Sequence, residues 1–119
     1  EKITQHTKKF QRELNSGTVS LVLLSILYQA KIPLYGYQIS KLLQQGNEGK
    51  QGAIYPVLRN LHARSLIHCD IKLSEDGPPR KYYTITPLGK KVHKQWLLSW
   101  ESTQTSVNNI IGGSLNHEE

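Results

Sequence analysis

Residues 66–86 read LIHCDIKLSEDGPPRKYYTIT, and this stretch limits the fold more than any other. In LIHCDIKLS the apolar Ile67, Cys69, Ile71 and Leu73 alternate with His68, Asp70 and Lys72. A period of two is that of a strand with one buried face. RKYYTIT, residues 80–86, is a second β-prone run, and EDGPP between the two is turn chemistry. The pattern predicts a hairpin in which Asp76-Gly77 supplies a positive φ and Pro78 and Pro79 stiffen one arm. Tyr82 and Tyr83 alternate, so one faces the core and the other faces solvent.

The remaining segments read as helix. Residues 2–14 are polar and helix-tolerant, with Ile3, Phe10 and Leu14 spaced as on a short amphipathic arm. Ser16 or Gly17 can open a second helix, and TVSLVLLSILYQA (18–30) is apolar on almost every side, as a buried central helix is. The Ile32-Pro33 step closes it. YGYQISKLLQQ (35–45) is a shorter helix with Ile39, Leu42 and Leu43 inward. AIYPVLRNLHARS (53–65) is the next, with Ile54, Val57, Leu58, Leu61 and Ser65 on one arc and Gly52, Tyr55, Pro56, Arg59 and Ala63 opposite. That opposite arc carries no acid, unlike an ordinary solvated face. Thr86 and Pro87 are a good N-cap and first helical residue, so a last helix is expected from Pro87 to Ile111, ending at Gly112-Gly113. Leu88, Val92, Trp96, Trp100, Val107, Ile110 and Ile111 share one broad face of it. A helix of roughly 37 Å is more than so small a domain can cover, so its outer half is expected to meet the same helix of a second copy.

Charge adds a direction. From Lys50 to Trp100 nine Lys or Arg stand against three acids, while outside that stretch six bases balance six acids. All of the net +6 is therefore in the middle of the chain, where it attracts phosphate. The single cysteine excludes an internal disulfide. The five histidines, 6, 62, 68, 93 and 117, include no metal-spaced pair on one helix face. GNEGKQG (46–52) fails the phosphate-loop pattern, because Gln51 follows Lys50 where Ser or Thr is needed. No nucleophile–base constellation or carboxylate pair is readable, and the chain is not expected to be an enzyme. No apolar run approaches a membrane span, and the polar start lacks the apolar centre of a secretion signal. A cytoplasmic, nucleoid-associated protein is expected. The lack of any methionine points to a trimmed or processed chain.

Helix, helix, turn, helix, hairpin and long helix, in that order, describe a winged helix-turn-helix of the α+β class, mostly helical. The expected division is a helical arm at 1–16, the DNA-binding unit at 17–86, a dimerisation helix at 87–112 and a disordered tail at 113–119. In such folds the third helix enters the major groove and the hairpin tip, or wing, reaches the flanking backbone or minor groove. The motifs YGYQI (35–39), GAIYPVLRNLHARSLI (52–67) and GPPRKYYTITPLG (77–89) together resemble the PadR transcriptional regulators. The resemblance covers nearly the whole chain, and the short tail resembles the compact branch of that family. It implies a dimeric DNA-binding repressor, one of many that release DNA when a small, often aromatic, molecule binds.

By position, the resemblance assigns Gln51, Gly52, Ala53, Tyr55, Pro56, Arg59 and Asn60 to the start of the recognition helix. It assigns Arg80 and Lys81 to the basic wing and Tyr82 and Tyr83 to a tyrosine pair. Tyr35 stands where the family usually has His, and Ser65 stands where a Gly usually closes the recognition helix. Arg59 is the candidate for base readout, since Arg pairs bidentately with guanine. Lys50 and Gln51, at the helix entrance, together with Arg80, Lys81, Tyr55 and Tyr82, are candidates for the sugar-phosphate backbone. Trp100 matches a position at which relatives stack planar ligands between subunits, with Trp96 one turn before it. The alternative is that both tryptophans fill the helix-dimer core, together with Phe10, Leu14, Val107, Ile110 and Ile111. The expected function is sequence-specific regulation at a roughly palindromic operator. The alternatives are a winged-helix protein–protein module that never touches DNA, and a DNA-binding regulator with no small-molecule ligand.

Overall fold

The structure, a computed structural model, describes residues 1–46 and 53–113. Four helices surround one face of a three-stranded antiparallel sheet. In chain order they are α1 (Lys2–Gln29), β1 (Leu34–Tyr35), α2 (Gly36–Gly46), α3 (Ile54–Ala63), β2 (Ile67–Ser74), β3 (Gly77–Ile85) and α4 (Pro87–Ile111). The strand order is β1-β3-β2.

α1 is a single helix of 28 residues. The chain passes Ser16 and Gly17 without the break expected there. The Thr18 hydroxyl donates back to the Leu14 carbonyl at 2.9 Å, spanning the Ser-Gly step beside the unbroken helix. The apolar half of α1 supplies Leu23, Leu24 and Leu27 to the core. They meet Ile39 of α2, Leu34 of β1, Ile54, Leu58 and Leu61 of α3, then Leu66, Ile67 and Tyr83. Of the three apolar residues expected inward on α2, Ile39 is buried and Leu43 half-buried, whereas Leu42 is exposed.

The hairpin forms, with Cys69 opposite Tyr83 and Ile67 opposite Ile85. Its inward face is buried only at the base. Ile71 and Leu73 continue the alternation but are 67% and 89% exposed, because the strands run past the end of the helical layer. Glu75 and Asp76 make the turn, and β3 begins at Gly77, so both prolines lie within the strand. Neither Asp76 nor Gly77 takes the positive φ expected of them. An irregularity between Lys72 and Ser74 adjusts the register near the tip instead.

α4 has the predicted limits. Thr86 caps it by accepting from the Gly89 N–H at 2.9 Å, Pro87 opens it, and Gly112 follows its last residue. The line it turns to the core is Gly89, Val92, His93 and Trp96, so Leu88, expected on that face, is exposed. Beyond Trp96 the helix leaves the core, and it lies antiparallel to the first half of α1. The molecule measures 68 × 40 × 22 Å with a radius of gyration of 17.6 Å. A spherical domain of this length has a radius of gyration of about 13–14 Å. The excess comes from the two projecting helices.

Candidate nucleic-acid interface

α3 is an amphipathic helix of ten residues resting on Ile54, Leu58 and Leu61. Burying those three leaves Ala53, Tyr55, Pro56, Arg59 and Asn60 exposed on the other side. The first turn contains no acid and no side-chain cap, so among the described residues no carboxylate of α3 itself offsets the partial positive charge of the helix start. Lys50, Gln51 and Gly52, the remaining candidates on this approach, lie outside the described residues.

The end of α3 is fixed by a Schellman arrangement. Leu66 N–H donates to the Leu61 carbonyl at 3.0 Å and Ser65 N–H to the His62 carbonyl at 2.9 Å. This requires a left-handed residue at Ser65, whose φ is 62°. Ser65 is therefore a turn residue, exposed, and not part of the inward arc of the helix. Thr86 then ties the turn to α4. Its hydroxyl donates to the Ser65 carbonyl at 2.8 Å, and its N–H donates to the Leu66 carbonyl at 3.1 Å. Gly89 packs so closely on the Leu66 carbonyl that a Cβ there would overlap it.

α3 and the wing enclose an open cleft of about 370 Å³, lined by Tyr35, Gly36, Tyr55, Arg59, Pro79, Arg80, Lys81 and Tyr83. The cleft brings Arg59 of the helix and Arg80 and Lys81 of the wing to one concave surface. Among the described residues no carboxylate lines it. Tyr55 lies directly over Gly36, where a Cβ would come within 2.6 Å of its hydroxyl oxygen. The small residue thus seats the tyrosine ring against the start of α2. Tyr83 is the buried member of the tyrosine pair and packs by Cys69. Burial first, and then Cys69 beside it, raise its phenol above the ordinary value, so it stays neutral. Tyr82 is half-buried on the opposite face of the sheet, with its ring edge-on to Tyr35 at 5.5 Å.

Sequence reasoning missed Tyr35 and Gly36 as parts of this cleft. The Arg80 guanidinium lies 4.5 Å from the centre of the Tyr35 ring, which holds it over the cleft. The contact depends on β1 pairing with β3 through Tyr35 opposite Tyr82. A two-residue strand has too little alternation to be recognised in a sequence. The Tyr55–Gly36 contact joins residues far apart in the chain, and no local pattern signals it.

A second cleft, of about 510 Å³, lies between α1 and α4 and includes Leu14, Gly17, Leu21, Arg64, Trp96 and Trp100 in its lining. Both tryptophans face it, and the Arg64 guanidinium lies 5.6 Å from a Trp96 ring centre. Phe10, Val107, Ile110 and Ile111 are exposed on the projecting parts of the same two helices. Among the described residues no group of His, Cys, Asp and Glu could hold a metal ion, and no helix is long and apolar enough to cross a membrane.

Three helices, a wing on a small antiparallel sheet, and a cationic cleft between helix and wing define a winged helix-turn-helix of the transcriptional-regulator type. Residues 23–95 match the model of the "Transcriptional regulator PadR-like family", and the chain belongs to that family. A PadR-like transcriptional regulator from Bacillus cereus is 33% identical, with 83% of this chain and 96% of that chain covered and a TM-score of 0.71. A PadR family transcriptional regulator from Eggerthella lenta is 25% identical and covers 92% of this chain and 95% of its own, with a TM-score of 0.81. A Lysinibacillus sphaericus protein called "Uncharacterized protein X" is 28% identical over 98 residues, which are 79% of this chain and 87% of that one. DNA-binding regulation of transcription is the role that this family and fold carry.

Proposed function

We propose that the protein is a homodimeric repressor that binds a roughly palindromic operator, one α3 to each half-site. The observation that carries this is the cleft in which Arg59, Arg80 and Lys81 converge with no carboxylate among its described lining residues. Arg59, on the exposed face of α3, reads base edges. Arg80 and Lys81, with Tyr55 and Tyr82, hold the backbone and set the register. Two such units need half-sites separated by whole helical turns of DNA. The exposed apolar residues of α1 and α4 support dimerisation through those helices. The cleft with Trp96 and Trp100 supports a small planar aromatic effector taken up at the same junction.

The test replaces Arg59 by Ala and measures binding to the protein's own upstream DNA and to a scrambled duplex. The expected loss is about 1–3 kcal/mol on the specific duplex and little on the scrambled one. Equal loss on both removes the base-reading role. If Arg59, Arg80 and Lys81 are changed together and regulation in the cell is unaffected, the fold serves protein–protein contact instead. Unchanged tryptophan fluorescence across a panel of planar aromatic compounds would eliminate the effector.

A further inference from the structure

The face of the sheet turned away from the core carries a continuous row of cations seated on tyrosine rings. The Lys72 ammonium lies 5.3 Å from the Tyr82 ring centre. Tyr82 meets Tyr35 edge-on, and the Tyr35 ring supports the Arg80 guanidinium at 4.5 Å. Tyr35 stacks on Tyr37 with centroids 6.4 Å apart, and the Lys41 ammonium lies 5.4 Å from the Tyr37 ring centre. The row thus crosses β2, β3, β1 and the first turns of α2 in the order Lys72, Tyr82, Tyr35 with Arg80, Tyr37, Lys41.

Two properties separate this row from an ordinary solvated face. Among the described residues none of its cations lies within ion-pair distance of a carboxylate, and the one His–carboxylate contact is the 3.1 Å hydrogen bond between His68 and Asp70. Asp70, the carboxylate nearest in register because it stands opposite Tyr82, is the acid in that pair. The cations are also held in place. A lysine resting on a ring gives up less rotamer freedom on binding than a free one. The tyrosines add hydroxyl groups, each able to donate to an anionic oxygen. Arg80 belongs to the row and to the cleft beside α3 at once, so the two cationic sets share one side chain.

We infer that this row is a second track for the sugar-phosphate backbone, holding duplex DNA that flanks the half-site under α3. Lys41 and Lys72 are its outer contacts. The inference rests on the DNA-binding reading above and extends the footprint of each subunit outward along the duplex. Spaced cations and hydroxyl groups with no base-sized pocket fit a regular polyanion and not a particular sequence.

The test compares wild type with Lys41→Gln/Lys72→Gln on duplexes that share one central upstream site and have flanks of increasing length. Both side chains are exposed, so the variant is expected to fold, which its thermal transition checks. Wild-type affinity is expected to rise as the flanks lengthen. The variant should lose that rise, and its salt slope on the long duplex should fall by about two per subunit, near 0.9 for each lost phosphate contact. On the shortest duplex the two proteins should match. Lys8→Gln/Lys9→Gln, on the projecting part of α1, serves as the charge control and should keep the wild-type slope. A variant that gains from long flanks as much as wild type overturns the second track and leaves the DNA-binding reading standing. Wild type that binds no duplex at low salt overturns both.

Discussion

Single residues set the geometry of the side proposed to face DNA. Ser65 occupies a left-handed position at φ 62°, where a side chain costs on the order of 1 kcal/mol. Ser65→Gly should therefore raise the stability by about 1 kcal/mol, read as an increase in urea midpoint with an unchanged slope. A lower midpoint would mean that the serine makes a compensating contact. His93 is buried between α1 and α4, with its Nε2 and Ser25 Oγ joined by a 2.8 Å hydrogen bond and the Tyr28 ring stacked on it at 4.7 Å. Burial disfavours the imidazolium and lowers its pKa from the ordinary 6.5. The unfolded chain therefore takes up the proton first as pH falls. Stability that is complete above the unfolded value is lost as pH drops through the lower folded one. The thermal midpoint should fall as pH drops below the ordinary imidazole value of 6.5, and His93→Gln should flatten that fall. An identical profile in the variant would place the acid sensitivity elsewhere. None of this was legible in the sequence, where His93 is one of five scattered histidines. The position of Ser65 in the family motif marked a departure but not its backbone conformation.

Elements divide into those defined by local chemistry and those defined by distant contacts. The limits of α4 could be read directly, because a Thr-Pro start and a Gly-Gly stop act within a few residues. The hairpin could be read from its alternation, although that alternation continues through Ile71 and Leu73 after the core has ended. β1 and the unbroken α1 could not be read. The first depends on pairing with β3, and the second on a Ser-Gly step that a helix tolerates when its neighbours are strong. The junction of α3 with α4 is the element-level feature on which the interface depends. Thr86 and Gly89 hold the Ser65–Leu66 turn, so α3 and α4 are joined through one tightly packed junction. Gly89→Ala places a Cβ against backbone that cannot move aside, and it should cost about 2–3 kcal/mol. At 4–8 °C per kcal/mol that lowers the midpoint by roughly 10–20 °C. A shift within a few degrees would show that the junction is looser than drawn.

The whole molecule is extended because its two longest helices leave the core together. Ile110 and Ile111 remain 63% and 77% exposed, and Phe10 remains 59% exposed. An isolated chain gains nothing from such residues, while the proposed dimer would bury them between two copies. Val107→Glu/Ile110→Glu should give a folded monomer by sedimentation, with helix content near that of wild type. A dimer that survives both charges would locate the interface elsewhere. A monomer presents one recognition helix, so its affinity for a two-half-site duplex should drop steeply, because the second contact is no longer intramolecular.

The central claim is that a cationic cleft between α3 and the wing reads DNA by sequence. Fluorescence anisotropy on the protein's own upstream duplex and on a scrambled one, each over a salt series, tests it most directly. The account predicts tight binding to the upstream duplex, a steep salt slope from several phosphate contacts per subunit, and markedly weaker binding to the scrambled duplex. Equal affinity for both duplexes at every salt concentration, or no binding at low salt, would contradict it.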